Sequence, residues 1–144
     1  GYSISVWAKI GGYQYLSFRI DAGSGTGVYC VLDLSAGTVS KAATTAGSGW
    51  TAGTASIVAY PSSWYRCILT LTSGTETNIR IIFAPENTGT PNPFTPTTFL
   101  GDGVSGTYLW GAQNEVGSFA SSYIPTTTVA VERTTDQMTY TIST

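Results

Sequence analysis

The side chains in this sequence that could do chemistry are aromatic rings, guanidinium groups and carboxylates, because the chain contains no histidine. Without histidine, a Ser-His-Asp triad, a Cys-His pair or a histidine-based zinc site cannot form. Two cysteines, Cys30 and Cys67, are too few for a four-cysteine zinc site. Each lies in a segment of alternating apolar residues, so the sequence leaves two interpretations open: a pair of buried core thiols, or one disulfide.

The acidic residues give little support for an enzyme. A glycosidase needs two carboxyl groups about 5–9.5 Å apart. Asp33 and Glu115 are candidates because both fall on polar strand faces, but no motif pairs them. A lyase that used Tyr15 or Tyr29 as its base has no stronger support. We predict a protein without catalytic residues, and keep a polysaccharide lyase or glycosidase as an alternative.

Calcium is an open alternative at two turns. Asp21 and Asp102 are candidate ligands, because carboxylate and carbonyl oxygens of turns bind this ion. No EF-hand spacing accompanies them. We predict that no cofactor is required, and a structural calcium stays an alternative.

The aromatic and planar polar side chains suit carbohydrate better. Flat rings cover the C–H faces of sugars, and planar polar groups make paired hydrogen bonds to adjacent hydroxyls. The competing interpretation is that such residues only pack against their cross-strand neighbours. The predicted ligand-binding residues are Trp7, Tyr15, Arg19, Trp50, Trp64, Arg66 and Gln113.

Two tryptophans need separate interpretation. Trp50 lies in a segment rich in glycine, alanine and threonine, so it is either a loop anchor or a platform for a ligand. Trp110, between Tyr108 and Ala112, is predicted to lie in the core.

Composition excludes several classes of partner. The net charge of −2 and the pI of about 4.8 argue against nucleic acid, which needs a basic stripe. No apolar run approaches the roughly 18 residues of a membrane span, and no signal-peptide pattern opens the chain. With 42% hydrophobic and 12% aromatic residues, the chain is predicted to fold rather than to be disordered.

Period-two alternation of apolar and polar residues is the main structural signal. Convincing helical periodicity is absent from the sequence. We predict loops at residues 41–54 and 85–98. The predicted strands cover residues 2–9, 15–21, 28–34, 38–40, 56–60, 64–72, 78–84, 107–116 and 138–143.

Short strands separated by turns predict an all-β fold in which two antiparallel sheets pack as a sandwich. We expect one domain over residues 1–144. The apolar faces would meet in the core. The polar faces would carry the predicted aromatic and arginine residues, and we expect most of them to share one sheet face.

One long segment resembles a known family. The stretch Gly101–Thr126, with the pattern GDG-SG-YLWGAQ-E-GS-A-SYIPT, is similar to carbohydrate-binding-module-like jelly rolls of phage tail and other virion proteins. Three further stretches fit the same family: Tyr2–Lys9, Asp33–Val39 and Trp64–Thr70. The resemblance implies a concanavalin-like or galactose-binding-like sandwich with a sugar-binding face.

The sequence departs from the family at two places. Family members have a further strand region before the strand at Tyr2–Lys9, so we expect an open sheet edge. Residues 129–144 or another subunit would fill it. Asn114 stands where an apolar residue is common in the family.

The function expected from the sequence is non-catalytic binding of a polysaccharide by an extracellular or virion-surface protein. The alternative is a structural or assembly domain of a phage tail protein, with the same aromatic residues buried between copies in a homo-oligomer. Neither nucleic acid nor a membrane is an expected partner.

Overall fold

A computed structural model describes residues 1–23, 25–74, 76, 78–92, 94, 99–126, 128, 129 and 131. The strand expected at 138–143 lies outside these residues. Within them the chain forms eight strands and one 3₁₀ turn. These are β1 (Tyr2–Gly11), β2 (Tyr15–Asp21), β3 (Gly27–Asp33), β4 (Thr38–Ala46), β5 (Trp50–Tyr60), η1 (Pro61–Ser63), β6 (Trp64–Ser73), β7 (Arg80–Glu86) and β8 (Gly106–Val116).

The strands form two four-stranded antiparallel sheets. The first sheet has the order β5-β6-β1-β8 and the second has the order β4-β3-β2-β7. The chain passes between the sheets after β1, β4, β6 and β7, so neither sheet is built from one continuous stretch. The two-sheet antiparallel β-sandwich predicted from alternation is therefore confirmed.

The core lies between the two sheets and follows the predicted alternation. Ile4, Val6 and Ala8 of β1 are at most 1% exposed. Burial of a large apolar side chain such as Ile4 or Val6 contributes about 1.5–3 kcal/mol to folding. The core residues from β2, β3, the turn after β3 and β6 are Leu16, Phe18, Ile20, Val28, Cys30, Leu32, Leu34, Cys67, Leu69 and Leu71.

The predicted loop at 41–54 is wrong. Residues 38–46 form β4 and residues 50–60 form β5, with Gly47 and Gly49 at positive φ in the turn between them. Both strands lie at a sheet edge and pair with one neighbour. Their alanine, threonine, serine and glycine residues hide the alternation, because small side chains give little contrast between the faces.

The outer faces of both sheets are partly covered by chain. On the first sheet, Ser3 and Ser5 are 0% exposed although they point away from the core. On the second sheet, Tyr29 is 4% exposed, and its ring centre lies 5.4 Å from that of Phe94. Among the described residues η1 is the helical element, so no helix there is long and apolar enough to cross a membrane.

Candidate functional site

The uncovered part of the first sheet's outer face holds a groove lined by aromatic side chains. Its volume is about 380 Å³, within the usual range of small-ligand sites. Trp110 is 56% exposed and Tyr60 is 45% exposed, while Trp7 and Trp64 are partly buried. We call this feature the aromatic groove, and it is lined by Trp7, Tyr60, Pro61, Trp64 and Trp110.

Strand pairing brings these rings together. Trp7 on β1 pairs with Trp110 on β8, and Tyr60 on β5 pairs with Trp64 on β6. Each of the four strands of the first sheet therefore supplies one ring. The predicted site contained Trp7 and Trp64 but not Trp110 or Tyr60.

A β-bulge explains why the placement of Trp110 was predicted wrongly. Ser5 pairs with Gln113 but Trp7 pairs with Trp110, so β8 has one extra residue between these pairs. Gly111 lies within that extra stretch at φ +63°, the conformation that a glycine bulge requires. The extra residue puts Trp110 and Gln113 on the same outer face, although strict alternation would separate them. A glycine inside a strand pattern is the sequence signal for such a bulge.

The turn between β5 and β6 places Tyr60 beside Trp64. Ser62 and Ser63 both have φ of 61°, and the backbone N–H of Trp64 donates to the carbonyl of Pro61. Two consecutive positive φ angles are typical of a type I′ hairpin turn, which normally contains asparagine or glycine. Serine there stores backbone strain next to the groove.

Trp7 is the centre of the aromatic cluster. Its ring centre lies 6.1 Å from Tyr60, 5.3 Å from Trp110 and 5.6 Å from Tyr123, each in edge-to-face geometry. Tyr123 also lies 4.9 Å from Trp110. Edge-to-face pairs at these distances are favourable, so the rings hold one another in fixed orientations.

The site prediction is revised for Arg66, which is 9% exposed. Its Nη2 donates to Ser5 Oγ at 3.1 Å and, in a short contact, to the carbonyl of Ser121. Its guanidinium carbon lies 4.8 Å from the centre of the Trp7 ring. Its Nη2 and its guanidinium face are thus used within the protein, and its Nε is buried without a hydrogen-bond partner among the described residues. Arg66 therefore packs beside Trp7 and is not an exposed ligand contact.

Gln113 is also hydrogen-bonded within the protein. Its partners belong to residues 119–124, which we call the covering segment. Its Nε2 donates to the carbonyl of Ser122 at 3.3 Å, and its Oε1 accepts from the backbone N–H of Ile124 at 2.8 Å. Both ends of the amide are therefore used to hold backbone, as in a strand pair.

Other outer-face side chains hold the covering segment in the same way. Ser3 Oγ donates to the carbonyl of Phe119 at 2.8 Å. The carboxylate of Glu115 accepts from the backbone N–H of Ser121 at 3.0 Å and from its hydroxyl in a short contact. These bonds give the polar residues of the 101–126 pattern a structural role, and they account for the burial of Ser3.

No protein-family model and no curated protein matches this chain.

Tyr15 and Arg19 were predicted to lie on the same sheet face as the groove residues, and this prediction is wrong. Both lie on β2 in the second sheet, on the opposite side of the sandwich. Arg19 Nε lies 2.9 Å from Asp21 Oδ2, and its guanidinium carbon lies 5.3 Å from the centre of the Phe94 ring. Alternation shows that a residue points outward but not which sheet it belongs to.

Trp50 is 7% exposed and packs in the core cluster. It is the first residue of β5 and pairs with Ser73. Of the two interpretations left open by the sequence, its burial supports an anchor at the edge of the core.

The candidate carboxylate pair does not come together. Asp33 ends β3 in the second sheet, whereas Glu115 lies on β8 in the first. Burial alone would raise the pKa of Asp33, but hydrogen bonds from Ala36, Ser35 and Gln14 outweigh it and hold the pKa below its usual value. Asp33 therefore fixes the β3–β4 turn.

The two candidate calcium ligands also have other partners. Asp21 is 1% exposed and lies 2.7 Å from Nη2 of Arg80; with Arg19 also beside it, its surroundings are cationic and do not suit a metal cation. Hydrogen bonds from Ser105 and Val104 lower the pKa of Asp102 to about 2, so it fixes its own loop. Among the described residues no three acidic, cysteine or histidine side chains form a metal-binding group.

Cys30 and Cys67 are both free thiols in the core. Burial raises the pKa of the Cys67 thiol to about 12 and raises that of Cys30 as well, with a further contribution from Cys67. The core-thiol interpretation therefore describes this structure, and the disulfide alternative does not.

Proposed function

We propose that this domain binds carbohydrate without catalysis, through the aromatic groove. The observation that carries the proposal is the convergence of three tryptophans and Tyr60 on one open surface. Exposing such an apolar patch costs free energy, and patches of this kind usually mark an interaction site. Sugars suit it because their C–H faces pack on aromatic rings.

The proposed contacts differ from those expected from the sequence. Trp7, Tyr60, Trp64 and Trp110 would cover the faces of the sugar rings. The indole N–H groups and the Tyr60 hydroxyl would donate to sugar oxygens, since Arg66 and Gln113 are already bonded within the protein. Among the described residues, the groove lining itself holds no charged side chain, so sugar hydroxyl groups would make most of its polar contacts.

Binding without catalysis is supported by the positions of the acids. On the four strands of the first sheet the acidic residue is Glu115, and both of its oxygens accept from Ser121. A glycosidase would need two carboxyl groups on the ligand surface. Together with the resemblance of residues 101–126, this supports a polysaccharide-binding module of a secreted or virion-surface protein.

A second candidate function is assembly with another copy of the chain. It is favoured by β8, which pairs with β1 on one side and has large exposed apolar residues. Exposed edge strands can pair with another chain. The exposed residues on β8 are Tyr108, Leu109, Trp110 and Val116.

Affinity electrophoresis through a panel of polysaccharides tests the first candidate, with and without EDTA. We expect retardation of the wild-type domain by at least one polymer. W64A and W110A should abolish it, whereas Y15A, which removes an aromatic ring from the opposite sheet, should bind normally. Absence of retardation by every polymer, with concentration-dependent sedimentation as a dimer or trimer, would instead support assembly.

A further inference from the structure

Lys9 does not line the aromatic groove, but the strand register places it next to residues that do. It follows Trp7 by two residues on β1, so its side chain leaves the first sheet on the same outer face. It pairs with Tyr108, which is 62% exposed, and continuing the β1–β6 register by one residue places it beside Trp64. Lys9 is itself partly buried. Its flexible four-carbon stem can carry the ammonium group to a ligand lying on these rings.

Lys9 differs from the other basic residues that the structure describes. For its ammonium group the described part of the chain supplies no hydrogen bond, ion pair or ring contact. Each of the other four has a carboxylate, hydroxyl, carbonyl or ring partner. These four are Arg19, Lys41, Arg66 and Arg80.

The acidic side chains on and next to the outer face of the first sheet already have hydrogen-bond partners. Glu115 pairs with Ser3, which is six residues from Lys9 along β1, or roughly 20 Å at strand spacing. Asp102, in the loop before β8, accepts hydrogen bonds from its own loop. Among the described residues, Lys9 is therefore a partly buried cation without an anion, and pairing with one would recover part of its solvation cost.

We propose that the saccharide bound in the aromatic groove is anionic, and that Lys9 pairs with its carboxylate or sulfate group. The inference rests on the proposed function, since it requires a sugar in the groove. The aromatic rings would supply most of the contact area, and Lys9 would select for charge. Because an ammonium group acts as a point charge, it accepts either anion.

Pairs of polymers that differ in charge alone test this inference. Polygalacturonate is compared with its methyl ester, and dextran sulfate with dextran, by affinity electrophoresis of the wild type, K9R, K9Q and K41Q. The matched control is K41Q, because K9Q and K41Q both change the net charge from −2 to −3. Lys41 lies on β4 in the second sheet.

We expect the acidic polymer of one pair to retard the wild type more than the neutral polymer does. The pair that shows this difference tells whether the anionic group of the ligand is a carboxylate or a sulfate. K9Q should weaken that binding about three- to tenfold, K9R should retain most of it, and K41Q should match the wild type. Equal retardation by both members of each pair, or equal binding by K9Q and K41Q, would overturn the role of Lys9 while the groove proposal stands. Failure of every polymer in the wider panel would overturn both.

Discussion

The guanidinium carbon of Arg66 lies 4.8 Å from the centre of the Trp7 ring, on the outer face of the first sheet. The same guanidinium group donates to Ser5 and to the backbone of the covering segment at Ser121. One residue therefore connects the central ring of the groove to the segment that buries the rest of the face. The aromatic groove is the part of this face that the covering segment leaves open.

Replacing Arg66 by alanine should lower the free energy of unfolding by about 2–3 kcal/mol, because the carbonyl of Ser121 and the Trp7 ring lose their partner. Chemical denaturation measures the change. K41A removes a cation from the Tyr29 ring on the opposite sheet and should cost less than about 1 kcal/mol. Equal losses for the two variants would contradict the supporting role of Arg66.

Gly111→Ala should destabilise the fold through two effects. A side chain at φ +63° is strained, and its Cβ would lie 3.0 Å from Trp7 Cε3. G49A isolates the first effect, because Gly49 has φ +82° and an added Cβ would meet nothing within 4 Å. We expect about 1 kcal/mol of destabilisation for G49A and at least about 1 kcal/mol more for G111A. Denaturation midpoints that coincide would refute the close approach to Trp7.

Ser63→Gly should raise the free energy of unfolding by about 0.5–1 kcal/mol. Glycine adopts positive φ without the strain that serine carries at φ 61°. S48G is the control, since Ser48 is an exposed turn residue outside the positive-φ set and its replacement should be neutral or slightly destabilising. Thermal denaturation distinguishes the two, and a loss of stability in S63G would contradict the turn geometry.

The buried thiols predict a loss of stability in alkali. The folded-state pKa of Cys67 is raised to about 12, above the roughly 8.5 of an unfolded thiol. The stabilising contribution is complete below about pH 8.5 and is lost as the pH rises toward 12, because the unfolded chain then releases protons that the folded chain keeps. The free energy of unfolding should fall less steeply between pH 8.5 and 10 in a variant with both cysteines replaced by alanine.

Thiol labelling at pH 8 provides an independent check of the same account. The folded protein should react far more slowly with a disulfide reagent than the protein unfolded in denaturant without reductant, which should expose two thiols. Rapid labelling of the folded protein, or no labelling of the unfolded protein, would contradict the free, buried state of Cys30 and Cys67.

Alternation in the sequence was sufficient to predict the main strands of the sandwich. It works for β1, β2, β3 and β6 because large apolar residues such as Phe18 and Leu69 mark one face of each. It found only residues 38–40 of β4 and 56–60 of β5, because Ala, Thr, Ser and Gly provide no such contrast in the rest of these strands. The edge strands β4 and β5, which consist mostly of small residues, were therefore less predictable than the central strands and than the edge strands β7 and β8.

The candidate site was predictable in part. Trp7 and Trp64 were identified as outward aromatic residues, and both line the groove. Trp110 was misplaced because the bulge at Gly111 shifts the alternation by one residue. Gln113 was predicted to bind a ligand, but its partners are backbone groups of the covering segment. A contact between a side chain and a later backbone segment leaves no periodic pattern in the sequence.

The indole N–H signals of the four tryptophans test the central claim most directly. Three of these residues line the groove, and Trp50 lies in the core as an internal control. The signals are assigned with single Trp→Phe variants and followed by NMR during titration with oligosaccharide fragments of the retarding polymer. The account predicts that Trp7, Trp64 and Trp110 shift with one common affinity while Trp50 does not. Saturable binding that leaves all three groove signals unchanged would contradict it.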